Sequence, residues 1–174
     1  MEPLRAICYP RSMRALALSL ALVAAFAATG CDDESKASIN KALGRYRAYD
    51  GKAVPAEQLQ KAYAQAKAEK KRVLVQFGGN WCVFCQALDE LIEADATLKD
   101  LKHRYVAIHI DAANADDLNQ RWGKPFDHGF PVLVVLDDSG TLLHTQPMTA
   151  FIRGGSFDPG GVAGFLRQWA GSGT

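Results

Sequence analysis

Val73-Leu74-Val75-Gln76-Phe77-Gly78-Gly79-Asn80-Trp81-Cys82-Val83-Phe84-Cys85 is the stretch whose reading decides the fold. Its first five residues form a short apolar run, bounded by charge on one side and by two glycines on the other, and so predict a buried strand. Beyond the glycines, Ala87, Leu88, Leu91 and Ile92 recur at helical spacing and predict a helix from about Cys82 to Ala94. A strand that ends in Trp-Cys-x-x-Cys and turns into a helix is the arrangement a redox dithiol needs. The unpaired N–H groups and dipole of a helix start favour a negative sulfur, which makes Cys82 the expected nucleophile. Cys85, one turn on, is the expected resolving thiol that releases a substrate caught as a mixed disulfide.

Working outward, Tyr105 to Ile110 predicts a second strand, and the helix between the two makes a βαβ unit with parallel pairing. Upstream, Pro55 opens a helix that runs through Lys71, with Leu59, Ala62, Tyr63 and Ala66 on one face. Downstream, Ala115 to Trp122 predicts a short helix ended by Gly123 and Pro125. Val132 to Leu136 and Thr141 to Thr145 flank the turn Asp137-Asp138-Ser139-Gly140 and predict a hairpin. Pro159 to Trp169 predicts a closing helix. The result is an α/β fold with a central four-stranded mixed sheet, flanked by helices and preceded by an extra N-terminal helix.

The chain has 174 residues, 48% of them hydrophobic, with 20 lysines and arginines against 19 acids. That length allows one core-bearing domain plus extra segments, and a net charge of +1 makes nucleic acid an unexpected partner. Ala15 to Ala28 holds no charge, follows Arg11 and Arg14, and falls short of the roughly 20 residues a bilayer span needs. Residues 1–30 therefore read as an export signal, residues 31–54 as a tether or spacer and residues 55–174 as the folded domain. Translation from Met13 instead of Met1 would give a tidier signal, and both starts stay open.

Ala28-Thr29-Gly30-Cys31 resembles a bacterial lipoprotein lipobox, with alanine where leucine is usual. The resemblance implies acylation of Cys31 and a lipid anchor in the membrane, the inner one if Asp32 acts as a retention signal. Ordinary cleavage near Ala27-Ala28-Thr29, giving a soluble exported protein, is the alternative. If Cys8 leaves with the signal and Cys31 goes to lipid, a single close pair remains. A loop that small adds little as a structural staple, so the pair is better explained by reactivity.

The dithiol after the first strand, together with Gly129-Phe130-Pro131 before the third, resembles the thioredoxin superfamily over roughly Pro55 to Ala170. Trp81-Cys82-Val83 looks most like its periplasmic reductase branch, which includes the C-terminal domain of the transmembrane reductase DsbD. The resemblance implies a thiol:disulfide oxidoreductase acting as a reductant of protein disulfides in the periplasm. It implies no bound cofactor beyond the Cys82/Cys85 pair, and a membrane thiol:disulfide reductase as electron donor. It also implies a cis peptide at Pro131, with Trp81, Phe130 and Pro131 meeting the substrate. Several positions depart from the pattern. Gln76 stands where the family often has a buried proton-relaying acid, Val83-Phe84 replaces glycine-proline, and residues 124–128 and 148–157 are extra.

Other assignments compete with these. The competing assignments of the dithiol are an inert disulfide or half a zinc site, but His103, His109, His128 and His144 lack metal-ligand spacing, and Gln86 rules out haem attachment. Trp81 fits a core position and an exposed lip equally well. Asp111, Asp116 and Asp117 are expected as helix caps and dipole partners, and no metal site is expected. A second functional class is a thioredoxin-scaffold binding module that holds a protein or a copper ion without turnover.

Overall fold

The computed structural model describes residues 45–171; the stretch read as an export signal, Cys31 and both candidate start sites lie outside them. Helix α1 (Pro55–Glu69) starts on its proline and buries Leu59, Ala62 and Ala66, then ends at Lys70 in the left-handed conformation. Strand β1 (Arg72–Gly78) follows, and helix α2 (Val83–Ala94) begins one residue after its cap, Cys82. Asp95 breaks the helical run and caps helix α3 (Ala96–Lys102) by accepting from the Leu98 amide at 3.1 Å. Strand β2 (Tyr105–Asp111) and the short helix α4 (Asp116–Arg121) come next. Strands β3 (Val132–Leu136) and β4 (Leu142–Pro147) form the hairpin, a two-stranded β5 (Ile152–Arg153) and β6 (Ser156–Phe157) follows, and α5 (Pro159–Trp169) closes the fold.

The main sheet runs β2-β1-β3-β4, with β1 and β2 parallel and the other two pairings antiparallel. The hairpin turn is held by Asp137, whose carboxylate accepts from the Ser139 and Thr141 amides at 2.9 and 2.8 Å. Gly140 sits there with φ +91°, against the ring of Tyr63, where any side chain would collide.

Two apolar layers sandwich the sheet. On one side α1 and α4 cover Val73, Val75, Phe77, Val106, Ile110 and Val134, with Trp122 filling the end. On the other, α2, α3 and α5 cover Leu74, Tyr105, Leu133 and Val135. Each of these fully buried side chains contributes roughly 1.5–3 kcal/mol. Helix α5 is tied down by Asp158, which accepts from Gly160 and Gly161 amides, and by Tyr105, whose hydroxyl donates to the Leu166 carbonyl at 2.7 Å. Among the described residues no helix is long and apolar enough to cross a membrane.

Two further stretches take a place in the fold. The described end of the spacer does not stand clear of the domain: Tyr49 is buried, and its backbone N–H and C=O both bond the Asn80 side chain, at 3.1 and 2.7 Å. Its aromatic rings supply burial that a polar tether lacks. The insert 148–157 is built from a 3₁₀ turn, Met148–Phe151, and the β5–β6 hairpin, with Phe151 in the core.

Candidate active site

Cys82 sits at the N-cap of α2 in extended conformation, and its sulfur accepts from the Cys85 amide at 3.2 Å. That is the place where helix amides are unpartnered, so a thiolate there gains both a hydrogen bond and the favourable end of the dipole. The two cysteines form a disulfide with Cα atoms 5.2 Å apart. Their exposure is unequal: Cys82 is 5% exposed and Cys85 0%. Only Cys82 has an opening to solvent, the asymmetry a nucleophile and a resolving thiol require.

Around that opening stand large apolar side chains. Trp81 is 58% exposed, which decides between core and lip in favour of the lip, and Val83 and Phe84 are exposed beside it. Trp81 packs edge-to-face on Phe130, ring centroids 5.7 Å apart, and Phe130 in turn lies against the cluster of Tyr49, Cys82 and Cys85. The Phe130–Pro131 peptide is cis and Pro131 is buried. The β5–β6 hairpin brings Phe157 against Phe84, and a shallow groove lined by Phe84, Ala87, Leu91, Gly155, Ser156 and Phe157 runs beside them. Trp81, Cys82, Cys85 and Phe130 are therefore brought together, with Pro131 next in the chain.

Beneath the sulfurs lies a polar cluster that sequence inspection missed. Asp89, 9% exposed, accepts from the Tyr46 hydroxyl and lies 2.9 Å from His109 Nε2 and 3.7 Å from Lys102 Nζ. Gln76 donates to the Tyr49 hydroxyl at 3.0 Å and to Asp89 at 3.5 Å. Burial opposes the charge on Asp89, but the hydrogen bond and charge of His109, with Tyr46 and Lys102, hold its carboxyl below the usual range. Burial, with the nearby Asp89 carboxylate, raises both the Tyr46 and Tyr49 phenols, so both stay neutral. His109, expected as an isolated histidine, is thus the partner of a buried acid. The available signal was the i, i+4 spacing of Cys85 and Asp89, which puts an acid on the dithiol face of α2.

Several other polar residues take structural places. Asp111 caps a 3₁₀ turn by accepting from the Ala113 amide, Asp116 and Asp117 lie in the first turn of α4, and His144 stacks on Trp169 at 4.4 Å. Trp122 is core, whereas Trp169 is only partly buried. Among the described residues, no three histidine, cysteine or acidic side chains gather as a metal site.

A family model described as thioredoxin-like matches residues 54–138. No curated protein matches the chain. Among solved structures, the disulphide isomerase from Xylella fastidiosa Temecula1 superposes with a TM-score of 0.62 at 26% identity, over 71% of this chain and 97% of that one. A DsbH oxidoreductase is also similar, with a TM-score of 0.43 at 20% identity over 63% and 76% of the two chains. So is thioredoxin NaTrxh from Nicotiana alata, at 0.40 and 19% over 53% and 75%. The chain has a thioredoxin-like fold, with the Cys82–Cys85 disulfide at the start of the helix that follows its first strand.

Proposed function

We propose that this protein is a thiol:disulfide oxidoreductase that reduces disulfides of other proteins. The observation that carries the proposal is the pairing of an accessible sulfur at a helix N-terminus with a buried one a turn behind it. The Cys82 thiolate attacks a client disulfide, one client sulfur leaves, and Cys85 then displaces the other from the mixed disulfide. Trp81, Phe130 and the groove beside Phe84 offer the client apolar contact, and Pro131 places the neighbouring backbone alongside it. The similarity to a disulphide isomerase supports this chemistry.

The reducing direction rests on Val83 and Phe84. Neither side chain can donate a hydrogen bond to the Cys82 sulfur, so the thiolate is stabilised less than in a strong oxidant. Electrons enter by exchange from a membrane dithiol reductase. The basic and apolar N-terminal stretch followed by Ala28-Thr29-Gly30-Cys31 supports export to the periplasm and a lipid anchor at Cys31.

Cys85→Ser tests the proposal, because it leaves Cys82 unable to release what it captures. Mass spectrometry should find clients disulfide-bonded through Cys82, and an empty trap would leave a binding module instead. A reduction potential near about −270 mV fits a reductant, and one near about −120 mV would reverse the direction.

A further inference from the structure

Exchange through Cys82 and Cys85 needs a group that takes the Cys85 proton, because only a thiolate attacks a disulfide. Cys85 is fully buried, so bulk water does not reach its sulfur. Gln76, on β1, is an amide and cannot accept that proton.

Asp89 lies four residues beyond Cys85 on α2, the spacing that stacks two side chains on one helix face. Among the described residues, Gln76 and Asp89 are the buried polar side chains, and they bond each other. The groups facing Asp89 come from every element packed on it: Tyr46 and Tyr49 from the N-terminal segment, Gln76 from β1, Lys102 from α3 and His109 from β2. Asp111 adds its field at Tyr49. Gly78 shows how the sulfur connects to this cluster. A methyl group there would run into both Cys85 Sγ and Tyr49 Oη, so sulfur and hydroxyl crowd one side of the same residue. Gln76 already donates to that hydroxyl, which leaves the phenolic hydrogen free to turn elsewhere.

We propose that the Asp89–His109 pair is the buried base that takes the Cys85 proton, by way of the Tyr49 hydroxyl beside the sulfur and the Tyr46 hydroxyl that donates to Asp89. The proposal rests on the dithiol exchange above and deepens it. In this step the Cys85 S–H bond breaks and the pair gains one proton. The freed electron pair forms the bond to Cys82, the Cys82–client bond breaks, and the client sulfur leaves as a thiolate that solvent protonates. The dithiol loses two electrons and the client disulfide gains them. Asp89 enters the step as an anion, and a second anion in the same low-dielectric space is disfavoured, so loss of the thiol proton and its uptake by the pair are coupled.

The test uses the full chain with Cys8→Ser and Cys31→Ser, reduced and mixed with excess 5,5′-dithiobis(2-nitrobenzoate) in a stopped-flow instrument. The first nitrothiobenzoate release depends on reagent concentration and reports Cys82. The second does not and reports Cys85. Asp89→Asn should slow the second release at pH 7 by at least about tenfold. It should also make that rate climb about tenfold per pH unit, as for a thiol ionising alone, with the first release changed less than about twofold. Asp89→Glu should restore the second phase. An Asp89→Asn protein with the wild-type second phase and pH profile overturns this inference and leaves disulfide exchange standing. A parent protein without a second release overturns both. Should Asp89→Asn not fold, His109→Gln takes its place, with the same slowing expected and an unchanged second phase equally fatal.

Discussion

The two faces of strand β1 carry opposite demands. Toward α1, Val73, Val75 and Phe77 are all buried and apolar, and the Phe77 ring packs on Trp122 and Phe126. Toward α2 the alternate residues change along the strand from Leu74 to Gln76 to Gly78 as it nears the dithiol. One face is filled with hydrocarbon. The other gives up packing where the chemistry begins, first to an amide that orders a carboxylate and a phenol, then to a bare backbone that admits a sulfur. The lesson is a division of labour within one strand: stability is concentrated on one face and reactivity on the other.

Phe77→Ala tests the filled face most severely. It should cost about 3–5 kcal/mol in urea unfolding while Cys82 keeps its rate toward a disulfide reagent. A normal midpoint with a slowed Cys82 would invert the comparison. On the opposite face, Gly78→Ala should cost about 1–3 kcal/mol, because its methyl must displace Cys85 Sγ or Tyr49 Oη. Unlike the Phe77 variant, it should also slow closure of the dithiol, read by alkylation quench. Tyr49→Phe sharpens the picture by removing only the hydroxyl, and should cost about 1 kcal/mol as Gln76 loses an acceptor.

Asp89 adds a pH signature to the reactive face. Its folded-state carboxyl lies below the unfolded value, so its contribution to stability is complete above about pH 4 and is lost as pH falls through the folded value. Acid titration followed by circular dichroism should show that loss in the wild type and not in Asp89→Asn. Smallest of all is the expected stability effect of Trp81→Ala, within about 0.5 kcal/mol, since the ring is mostly solvated. Its effect should appear instead as weaker client capture by the Cys85→Ser trap.

Much of this was legible in the residues themselves. The periodicity of Val73 to Phe77, Tyr105 to Ile110 and Val132 to Leu136 marks three strands, and the helices around them follow from apolar spacing and from Pro55 and Pro159. The helix after the dithiol begins at Val83, with Cys82 as its cap, within a residue of the expectation. Gln76 was recognisable as a departure, but its partner was not. Asp89 is one acid among many in the sequence, and nothing local separates a buried one from a solvated one. Tyr46 and Tyr49 lay in a segment whose polar composition suggested a spacer.

Local chemistry determined the order of strands and helices and the placing of two sulfurs three residues apart at a helix start, because side-chain period and capping act over a few neighbouring positions. The cluster beneath those sulfurs was decided by tertiary structure alone. Its contacts join residues 20 apart between Asp89 and His109, 27 between Tyr49 and Gln76, and 43 between Tyr46 and Asp89. A buried carboxylate is stable only where such distant donors converge on it, and only the folded chain brings them together.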